Sequence, residues 1–274
     1  MDLFEVNQQT CNKDGICAAV CPAKIIDFQK GQCPTPSAEA EEICTRCGHC
    51  VAVCPTASLS HSEMPVSKCP PIQKDLHLNA EHCEHFLRSR RSIRVYKDKP
   101  ASKDDLTKLI EVARYAPSGH NVQKTEWLVF GNRAELHNLA GIIIDWMRWV
   151  MENMKELAMF LHMDRSIEGW ENGSYNPLRN APVVIVTHTD KEDIMAPINS
   201  SIALTYLELF APSMGLGTCW AGLFMVAAAT FPPMIEALSL PDGHQCYGSM
   251  MVGYPKFAYR RLHLRKPPEI TFHL

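Results

Sequence analysis

The start of the chain repeats one cysteine-rich pattern in two copies of equal length. Residues 44–55 read C-x2-C-x2-C-x3-C-P, and residues 11–22 keep the same positions and the same Cys-Pro ending, with Asp14 in place of the second cysteine. A segment of this size buries too little apolar surface to be stable without cross-links or bound metal. The repeat therefore constrains the N-terminal part to a small unit held together through its cysteines.

The spacing of the cysteines indicates whether they form disulfides, bind zinc or hold iron–sulfur clusters. Disulfides need an oxidising compartment, and residues 1–10 have neither the basic start nor the apolar stretch of a secretory signal. Zinc needs two separated cysteine pairs, without a proline-terminated run of four cysteines. The C-x2-C-x2-C-x3-C-P run is instead the spacing with which bacterial ferredoxins hold iron–sulfur clusters. The repeat predicts a ferredoxin-like domain with two [4Fe-4S] clusters that carry electrons.

Each copy is expected to lend its fourth cysteine to the neighbouring cluster. One cluster would be held by Cys21, Cys44, Cys47 and Cys50, and the other by Cys11, Cys17, Cys54 and Asp14. A carboxylate binds iron more weakly than a thiolate, so the second cluster is predicted to be labile and to occur also as [3Fe-4S]. Cys33, between the copies, is the alternative fourth ligand.

Length and charge limit what the rest of the chain can be. With 274 residues there is room for a second domain with a full core. A formal net charge of -3 gives no electrostatic case for binding nucleic acid or an anionic membrane. The most apolar stretch, residues 139–151, is interrupted by Asp145 and Arg148 and is too short to span a bilayer. We expect a cytoplasmic protein with no nucleic-acid or membrane partner.

The chain is expected to contain two domains joined by a linker. Residues 1–65 form the iron–sulfur domain, residues 66–86 the linker and the start of a first helix, and residues 87–274 the second domain. Pro70 and Pro71 indicate that the linker is extended. Cys69 and Cys83 lie there close to two histidines, so an extra metal site is the alternative to a helix that faces protein or solvent.

Helical and strand patterns alternate in the second domain. A capping-box-like start at residues 102–105 predicts a helix that ends at Pro117, and a core helix is predicted to stop at Gly215. Short strands are predicted at residues 127–130, 183–186 and 247–252. Long helices with separated short strands indicate an α+β sandwich.

The second domain needs a cofactor that can accept electrons from clusters that transfer them one at a time. Flavin accepts electrons singly and delivers two. The dinucleotide fingerprint is absent, because residues 215–220 lack its third glycine. Arg90, Arg91 and Arg94 surround Ser92, and such a group suits a phosphate and the electron-rich edge of a flavin. The alternatives are an exposed basic face and, for residues 215–222, a plain helix C-cap.

Four segments resemble the nitroreductase family of FMN enzymes, in particular its branch with an N-terminal ferredoxin domain. They are RRSIR at residues 90–94, APSGHNVQ at 116–123, GLGTCWAG at 215–222 and RRLHLRKP at 260–267. Lys124 departs from the family pattern, which often has proline there. The resemblance runs from about residue 87 to residue 274 and implies a nitroreductase-type α+β sandwich. It also implies a homodimer in which both subunits line each flavin pocket.

The resemblance further implies a set of flavin ligands. They are Arg90, Arg91, Ser92, Arg94, Ser118, Asn121, Trp220, Ala221, Gly222, Arg265 and Lys266. In the family the first segment binds the phosphate and the pyrimidine, and the second faces the ribityl chain and the ring. Amides of the third lie at flavin N5 and O4, and the fourth closes on the phosphate. No side chain is implied as a catalytic acid, base or nucleophile, because the chemistry is that of flavin N5.

These observations predict an FMN-dependent oxidoreductase. Electrons would enter through the clusters from a ferredoxin or an NAD(P)H-linked donor, collect on FMN, and reduce a small organic acceptor such as a nitroaromatic. The helical segment at residues 145–170, rich in Met and Trp, would form the dimer core or a pliable cover over the substrate. The alternatives are an electron-transfer module that serves a protein partner, and an ene-reductase or dehalogenase.

Overall fold

The computed structural model describes residues 3–274 and divides the chain into two compact units. Unit 1 comprises Met1–Leu78 together with His120–Val122, and unit 2 comprises Asn79–Gly119 and Gln123–Leu274. Among the residues described, no helix is long and apolar enough to cross a membrane.

Unit 1 consists of two short antiparallel strand pairs and three short helices. β1 (Phe4–Val6) pairs with β4 (Leu59–His61), and β2 (Ile26–Asp27) pairs with β3 (Thr35–Pro36). The helices are α1 (Ile16–Val20), α2 (Ala40–Ile43) and α3 (His49–Val53). The small core contains Leu3, Phe4, Ile25, Ile26, Ala40, Val51 and Leu59 together with Cys17 and Cys21. Cysteines thus make up part of the interior of this unit.

The two cysteine repeats fold alike. Each turns through a glycine in the left-handed conformation, Gly15 at φ 74° and Gly48 at φ 72°, and then forms a five-residue helix that ends before a Cys-Pro pair. A Cβ on Gly15 would lie 2.3 Å from the ring of Phe28, so this position requires glycine for space as well as for its dihedral angle. The sequence repeat is therefore also a structural repeat.

Unit 2 is organised around a four-stranded antiparallel sheet with the order β5-β6-β8-β7. The strands are β5 (Glu126–Phe130), β6 (Val183–Asp190), β7 (Gly217–Trp220) and β8 (His244–Gly253). β6 lies inside the sheet and is buried from Val183 to Thr189, as expected for a strand covered on both faces. The register places Leu128 opposite Val186 and Ile185 opposite Met250.

Helices cover both faces of this sheet. The helices of unit 2 are α4 (Ala80–Ser89), α5 (Lys103–Ala113), α6 (Arg133–Asn153), α7 (Lys155–Phe160), α8 (Met163–Glu171), α9 (Ala196–Phe210), α10 (Gly222–Thr230) and α11 (Pro232–Leu238), of which α4 has no buried residue. α5 and α9 pack with Ile185 and Met250 in one core, whereas α6, α10 and α11 pack with Val184 and Met251 in the other. Unit 2 is thus a sandwich of helices, sheet and helices.

The predicted strands correspond to parts of β5, β6 and β8, but β7 was not predicted, and the helix predicted to end at Pro117 ends at Ala113. Ser102 caps α5, because its Oγ accepts a hydrogen bond from the Asp105 amide at 3.0 Å. α9 is followed by a 3-10 turn (Ala211–Met214), and the chain then reverses at Gly215 with φ 71°. The segment at residues 145–170 is helical, but it breaks at Met154 and again at His162, whose φ is 50°. Three helices therefore replace one long one.

Candidate functional site

A cavity of about 490 Å³ lies in unit 2, where the RRSIR segment meets the turn before β7. Its charged lining residues are Arg90, Arg91, Lys97 and Lys256 against the single acid Glu208. Apolar walls come from α4, α9 and residues 255–259, including Phe86, Leu209 and Phe257. The volume is that of a typical ligand site, and the charge favours an anionic ligand.

Close packing holds the RRSIR segment beside β7. The Ile93 amide donates to the Thr218 carbonyl at 2.8 Å. A Cβ on Gly217 would lie 2.4 Å from Cγ1 of Ile93 and 2.8 Å from Cγ of Pro255, so only glycine permits this approach. Two segments more than a hundred residues apart in sequence are joined at this contact, and the glycine-rich segment contributes to the cavity wall.

Arg90 does not stand free in the cavity. Its Nη1 donates to Oε1 of Glu208 at 2.9 Å, and the Glu208 side chain is only 8% exposed. The other carboxylate oxygen of Glu208 accepts from the Trp220 indole at 3.4 Å. Glu208 thus orients two residues that the sequence predicted as flavin ligands. The sequence prediction missed Glu208, although an acid within the apolar run of α9 was a signal that could have indicated it.

Arg91 and His263 carry polar atoms that lack a partner. The guanidinium of Arg91 lies over the Tyr259 ring at 5.2 Å, and its buried Nε has no acceptor. Both ring nitrogens of His263 are also buried without a hydrogen-bond partner. Burial, followed by the positive charges of Arg91, Arg265 and Arg90, lowers the pKa of His263. The C-terminal basic strip and the RRSIR segment therefore meet at one cluster of buried polar atoms that have no partner among residues 3–274, namely the Arg91 Nε donor and the two His263 nitrogens, of which one donates and one accepts in the neutral ring.

Such a cluster suits a phosphate group. Buried polar groups in folded proteins are nearly always hydrogen-bonded, so unpaired donors indicate a ligand or a water. A phosphate supplies several acceptor oxygens and forms charge-assisted bonds with arginine. Lys266, which follows Arg265 in the chain, is exposed. No contact among the described residues places it in this cluster.

The Ser92 hydroxyl accepts from Nη1 of Arg90 at 3.5 Å, so Ser92 lies beside the proposed phosphate arginine. Arg94 is exposed and donates to the Ser92 carbonyl at 3.5 Å. Burial raises the pKa of the Cys219 thiol in β7, while the positive charges of Arg94 and Arg179 and a hydrogen bond with Ser92 oppose that rise. Ser92 and Arg94 therefore lie close to β7.

The end of β7 leads directly into α10. The Ala221 amide donates to the Ser249 carbonyl at 3.0 Å, so it is used within the protein. α10 begins at Gly222, where a Cβ would meet no atom within 4 Å. The first amides of a helix have no partner inside the helix and attract negative charge. The Gly222 end of α10 is therefore the part of this segment best able to donate to a ligand.

The second predicted flavin segment is divided by the structure. The Ser118 hydroxyl accepts from the Gln123 amide at 3.0 Å, and the Gly119 amide donates to Oδ1 of Asn199 at 3.1 Å. Asn121 belongs to unit 1, where its side-chain amide donates to the carbonyls of Thr45 at 3.1 Å and Arg46 at 3.0 Å. The resemblance predicted that Asn121 contacts the flavin, but the structure places Asn121 in unit 1. The site considered below therefore uses residues of unit 2 alone.

In unit 1 each predicted ligand set of the cysteine repeat surrounds its own cavity. One cavity is lined by Cys21, Cys44, Cys47 and Cys50, and the other by Cys11, Asp14, Cys17 and Cys54. Each set combines three residues of one copy with the last cysteine of the other copy. The exchange of the fourth cysteine that the spacing predicts is therefore present in the fold.

Hydrogen bonds and burial tune these thiols differently. The pKa of Cys50 is raised to about 11 by burial, and burial also raises that of Cys17. At Cys54 burial would raise the pKa, but backbone hydrogen bonds from Leu59 and Ser58 and the Thr56 hydroxyl lower it. Without a metal, Cys50 and Cys17 stay protonated at neutral pH, whereas a bound metal deprotonates its thiol ligands.

Both candidates for the fourth corner lie near the second cavity. Asp14 lines it, and its Oδ1 accepts from the Ile16 amide at 3.1 Å at the start of α1. Burial, followed by the neighbouring Cys11, raises the pKa of the Cys33 thiol. Cys33 is not among the residues that line the cavity. Asp14 is therefore the better placed of the two.

Cysteines 69 and 83 lie outside both sets. Cys69 is exposed, and its thiol donates to the Pro65 carbonyl at 3.5 Å. Cys83 is partly buried on α4, the helix that Asn79 caps by accepting from the His82 amide. Within residues 3–274 neither belongs to a group of three ligand atoms close enough to share an ion.

Comparison with known proteins identifies the fold of unit 2. The model described as "Nitroreductase family" matches residues 87–254, which begin after the cysteine repeat. A protein of Archaeoglobus fulgidus, provisionally named NADH dehydrogenase/NAD(P)H nitroreductase, is 26% identical over 181 residues, which cover 64% of this chain and 87% of that protein.

Solved structures lead to the same fold. FMN-bound nitroreductases of Bacteroides fragilis and Desulfitobacterium hafniense are 20% and 21% identical, with TM-scores of 0.59 and 0.56. Each alignment covers 72% of this chain, and 100% and 99% of those chains respectively. A BluB-like flavoprotein of Clostridium difficile is 20% identical with a TM-score of 0.53, over 68% of this chain and 94% of that one. The α+β fold predicted for the second domain is confirmed.

Proposed function

The chain belongs to the nitroreductase family, and from that membership we propose that it is an FMN-dependent oxidoreductase that reduces a small organic acceptor. The structural neighbours from Bacteroides fragilis and Desulfitobacterium hafniense carry bound FMN, which supports the choice of cofactor. FMN, when bound, takes up electrons singly and releases them as a pair. The protein's own residues supply binding, orientation and electrostatics.

The observation that carries this proposal is the cluster of buried polar atoms around Arg91 and His263 that have no partner within residues 3–274. In it Arg91 Nε and the His263 nitrogens are buried and unpaired, and Arg90 and Arg265 add positive charge. We assign the FMN phosphate to this cluster, because phosphate oxygens would satisfy the buried donors. Lys266 is assigned to the same strip as a further cation, and it would reach the phosphate only when the strip closes.

The remaining flavin contacts are assigned to residues at the same end of the sheet. Ser92 and Arg94 are proposed to face the pyrimidine edge, because a cation there stabilises the negative charge of the reduced ring. Amides at the start of α10, from Gly222 onward, are proposed to donate near N5 and O4, with Trp220 and Ala221 fixing their position. Ser118 is kept as a ribityl contact. No side chain is proposed as an acid, base or nucleophile.

Unit 1 is proposed to hold two iron–sulfur clusters. The two cavities lined by the exchanged ligand sets support this, since each set supplies the four corners that a cluster needs. Within residues 3–274, no three cysteine sulfurs lie within 4.8 Å of one another. Sulfurs around a single zinc ion lie about 3.8 Å apart, as Zn–S bonds of about 2.3 Å require. The choice of a cluster over a single ion is carried by the C-x2-C-x2-C-x3-C-P spacing of the sequence.

The two units together suggest an electron route. We propose that the clusters receive electrons from a ferredoxin or an NAD(P)H-linked donor and pass them to FMN, which then reduces the acceptor. A homodimer is proposed because apolar side chains on α6 and α7 are exposed, among them Trp149, Met159 and Phe160. Residues 145–170 would then form part of the interface.

The experiment that tests this function is a flavin reoxidation screen. Protein purified without oxygen is analysed for FMN, iron and sulfide, and its chemically reduced flavin is mixed with nitroaromatics, activated alkenes and organohalides. Rapid reoxidation by one class of small molecule is the expected result, and the class identifies the acceptor. Ene-reductase or dehalogenase activity would appear as reoxidation by the second or third class. Reoxidation only by a redox protein would contradict the proposed acceptor and favour an electron-transfer module.

A further inference from the structure

Three potential metal ligands lie together at one end of the unit 2 sheet. Glu126 begins β5, His188 lies in β6 and His244 begins β8. Glu126 is directly opposite His188, and His188 is opposite Cys246, which is two residues from His244. Residues opposite each other, or two apart along a strand, share a face of the sheet. All three side chains therefore project from the same face, and the proposed flavin site uses none of them.

A bulge brings the third ligand into place. Thr187 is opposite Gly248, but the next pair is His188 with Cys246, so Tyr247 is an extra residue in β8. Bulges re-aim side chains and are common next to functional sites. Because the register shifts here, His244 lies diagonal to His188 across the strand pair, and the two rings are tilted by 53° with centroids 5.3 Å apart.

The distances fit metal ligation. Nδ1 of His188 and Nδ1 of His244 are 3.0 Å apart, and one ligand atom from each of the three residues lies within 4.8 Å of the others. Among residues 3–274 this is the sole group of three that meets this criterion. Two nitrogens bound to one ion at about 2.1 Å each are about 3.4 Å apart at the tetrahedral angle of zinc and about 3.0 Å apart at a right angle, so the observed separation is close to that of a ligand pair.

The environment also fits a metal ion. His188 is only 6% exposed, so its ring is largely shielded from water. Glu126 is exposed, so it supplies a negative charge at a position where an ion can reach the site from solvent. A hydrogen bond between the two Nδ1 atoms would also account for their separation of 3.0 Å. It would not account for the Glu126 carboxylate that lies beside both rings.

We propose that Glu126, His188 and His244 bind a divalent first-row transition-metal ion such as Zn²⁺. Imidazole with carboxylate suits zinc, nickel, cobalt and ferrous iron, whereas magnesium and calcium prefer oxygen ligands alone. Three protein ligands leave at least one position for water. The ion would join the ends of β5, β6 and β8, so its expected effect is to stabilise this edge of the sheet.

Zinc titration of the full-length holoprotein tests the site. Isothermal titration with Zn²⁺ compares the wild type with His244→Ala and Glu126→Gln, and with His273→Ala as a control at an exposed histidine. The wild type and the control are expected to bind one more Zn²⁺ per chain than His244→Ala. Glu126→Gln is expected to weaken that site at least roughly tenfold. Zinc bound at any cysteine is common to all four proteins and cancels in the comparison.

Thermal unfolding gives a second readout. Zn²⁺ should raise the unfolding midpoint of the wild type and of the control, and should not raise that of His244→Ala, because only a ligand of the native state stabilises it. His244 and Glu126 are chosen because the buried His188 is the position where substitution is most harmful to folding. Equal zinc stoichiometry and affinity in the wild type and His244→Ala would overturn the proposal and leave a hydrogen-bonded histidine pair.

Discussion

The two arginines of the proposed phosphate site should respond differently to removal. Within residues 3–274 the buried Nε of Arg91 has no acceptor and its guanidinium contacts the Tyr259 ring, so Arg91→Ala removes a phosphate contact and one exposed cation–π contact. A hydrogen bond to a charged group contributes about 1.5–3 kcal/mol. Loss of one such contact should raise the Kd for FMN roughly ten- to a hundredfold. The free energy of unfolding of the apoprotein should change little.

Arg90→Ala should affect both flavin affinity and stability. The substitution leaves the carboxylate of Glu208 buried without its ion pair, and breaking a buried pair typically costs about 3–5 kcal/mol. Because Arg90 is 24% exposed, a loss at the lower end of that range is expected. The double variant Arg90→Ala/Glu208→Gln should recover stability without recovering FMN affinity.

Fluorescence quenching of FMN by apoprotein gives Kd, and denaturant unfolding gives stability. Arg133→Ala is the control, because this arginine pairs with Asp98 on the surface and is 77% exposed. Exposed pairs contribute little, so its effect should stay within about 1 kcal/mol. A wild-type Kd for FMN in Arg91→Ala would refute the placement of the phosphate.

Two further predictions concern the labile cluster and the glycine at the RRSIR segment. Asp14→Cys should abolish the loss of iron on mild oxidation, as measured by iron analysis and electron paramagnetic resonance; unchanged loss would make Cys33 the fourth ligand. Gly217→Ala should destabilise unit 2 by about 1–3 kcal/mol, because its Cβ would clash with Ile93. Gly131→Ala, where a Cβ meets nothing within 4 Å, is the control for that measurement, and equal stability of the two variants would contradict the packing argument.

Local patterns in the sequence predicted three of the four strands of unit 2 and the helices corresponding to α5 and α9, whereas the short strands and helices of unit 1 were not predicted. The cysteine spacing predicted which residues line each cavity, and both copies fold alike because the same glycine and Cys-Pro positions recur. The cap at Ser102 and the turn at Gly215 were likewise local signals.

Contacts between distant segments could not be predicted in this way. The ion pair between Arg90 and Glu208 joins residues 118 positions apart, and it depends on how α9 packs under the RRSIR segment. The pairing of His188 with His244 depends on strand order and on a one-residue bulge, neither of which has a signature in the hydrophobic pattern. His263 was not predicted as a site residue, because a single histidine in a basic strip carries no sequence signal that it is buried.

The central claim is that electrons pass through the clusters of unit 1 to the FMN of unit 2. Cys47→Ser tests it most directly, because Cys47 lines the cavity of the all-cysteine set. Two half-reactions are measured, namely flavin reduction by reduced ferredoxin and reoxidation of chemically reduced flavin by the acceptor. We expect the first to fall steeply and the second to stay nearly unchanged. If neither half-reaction slows, the clusters do not lie on the electron path, and the account is contradicted.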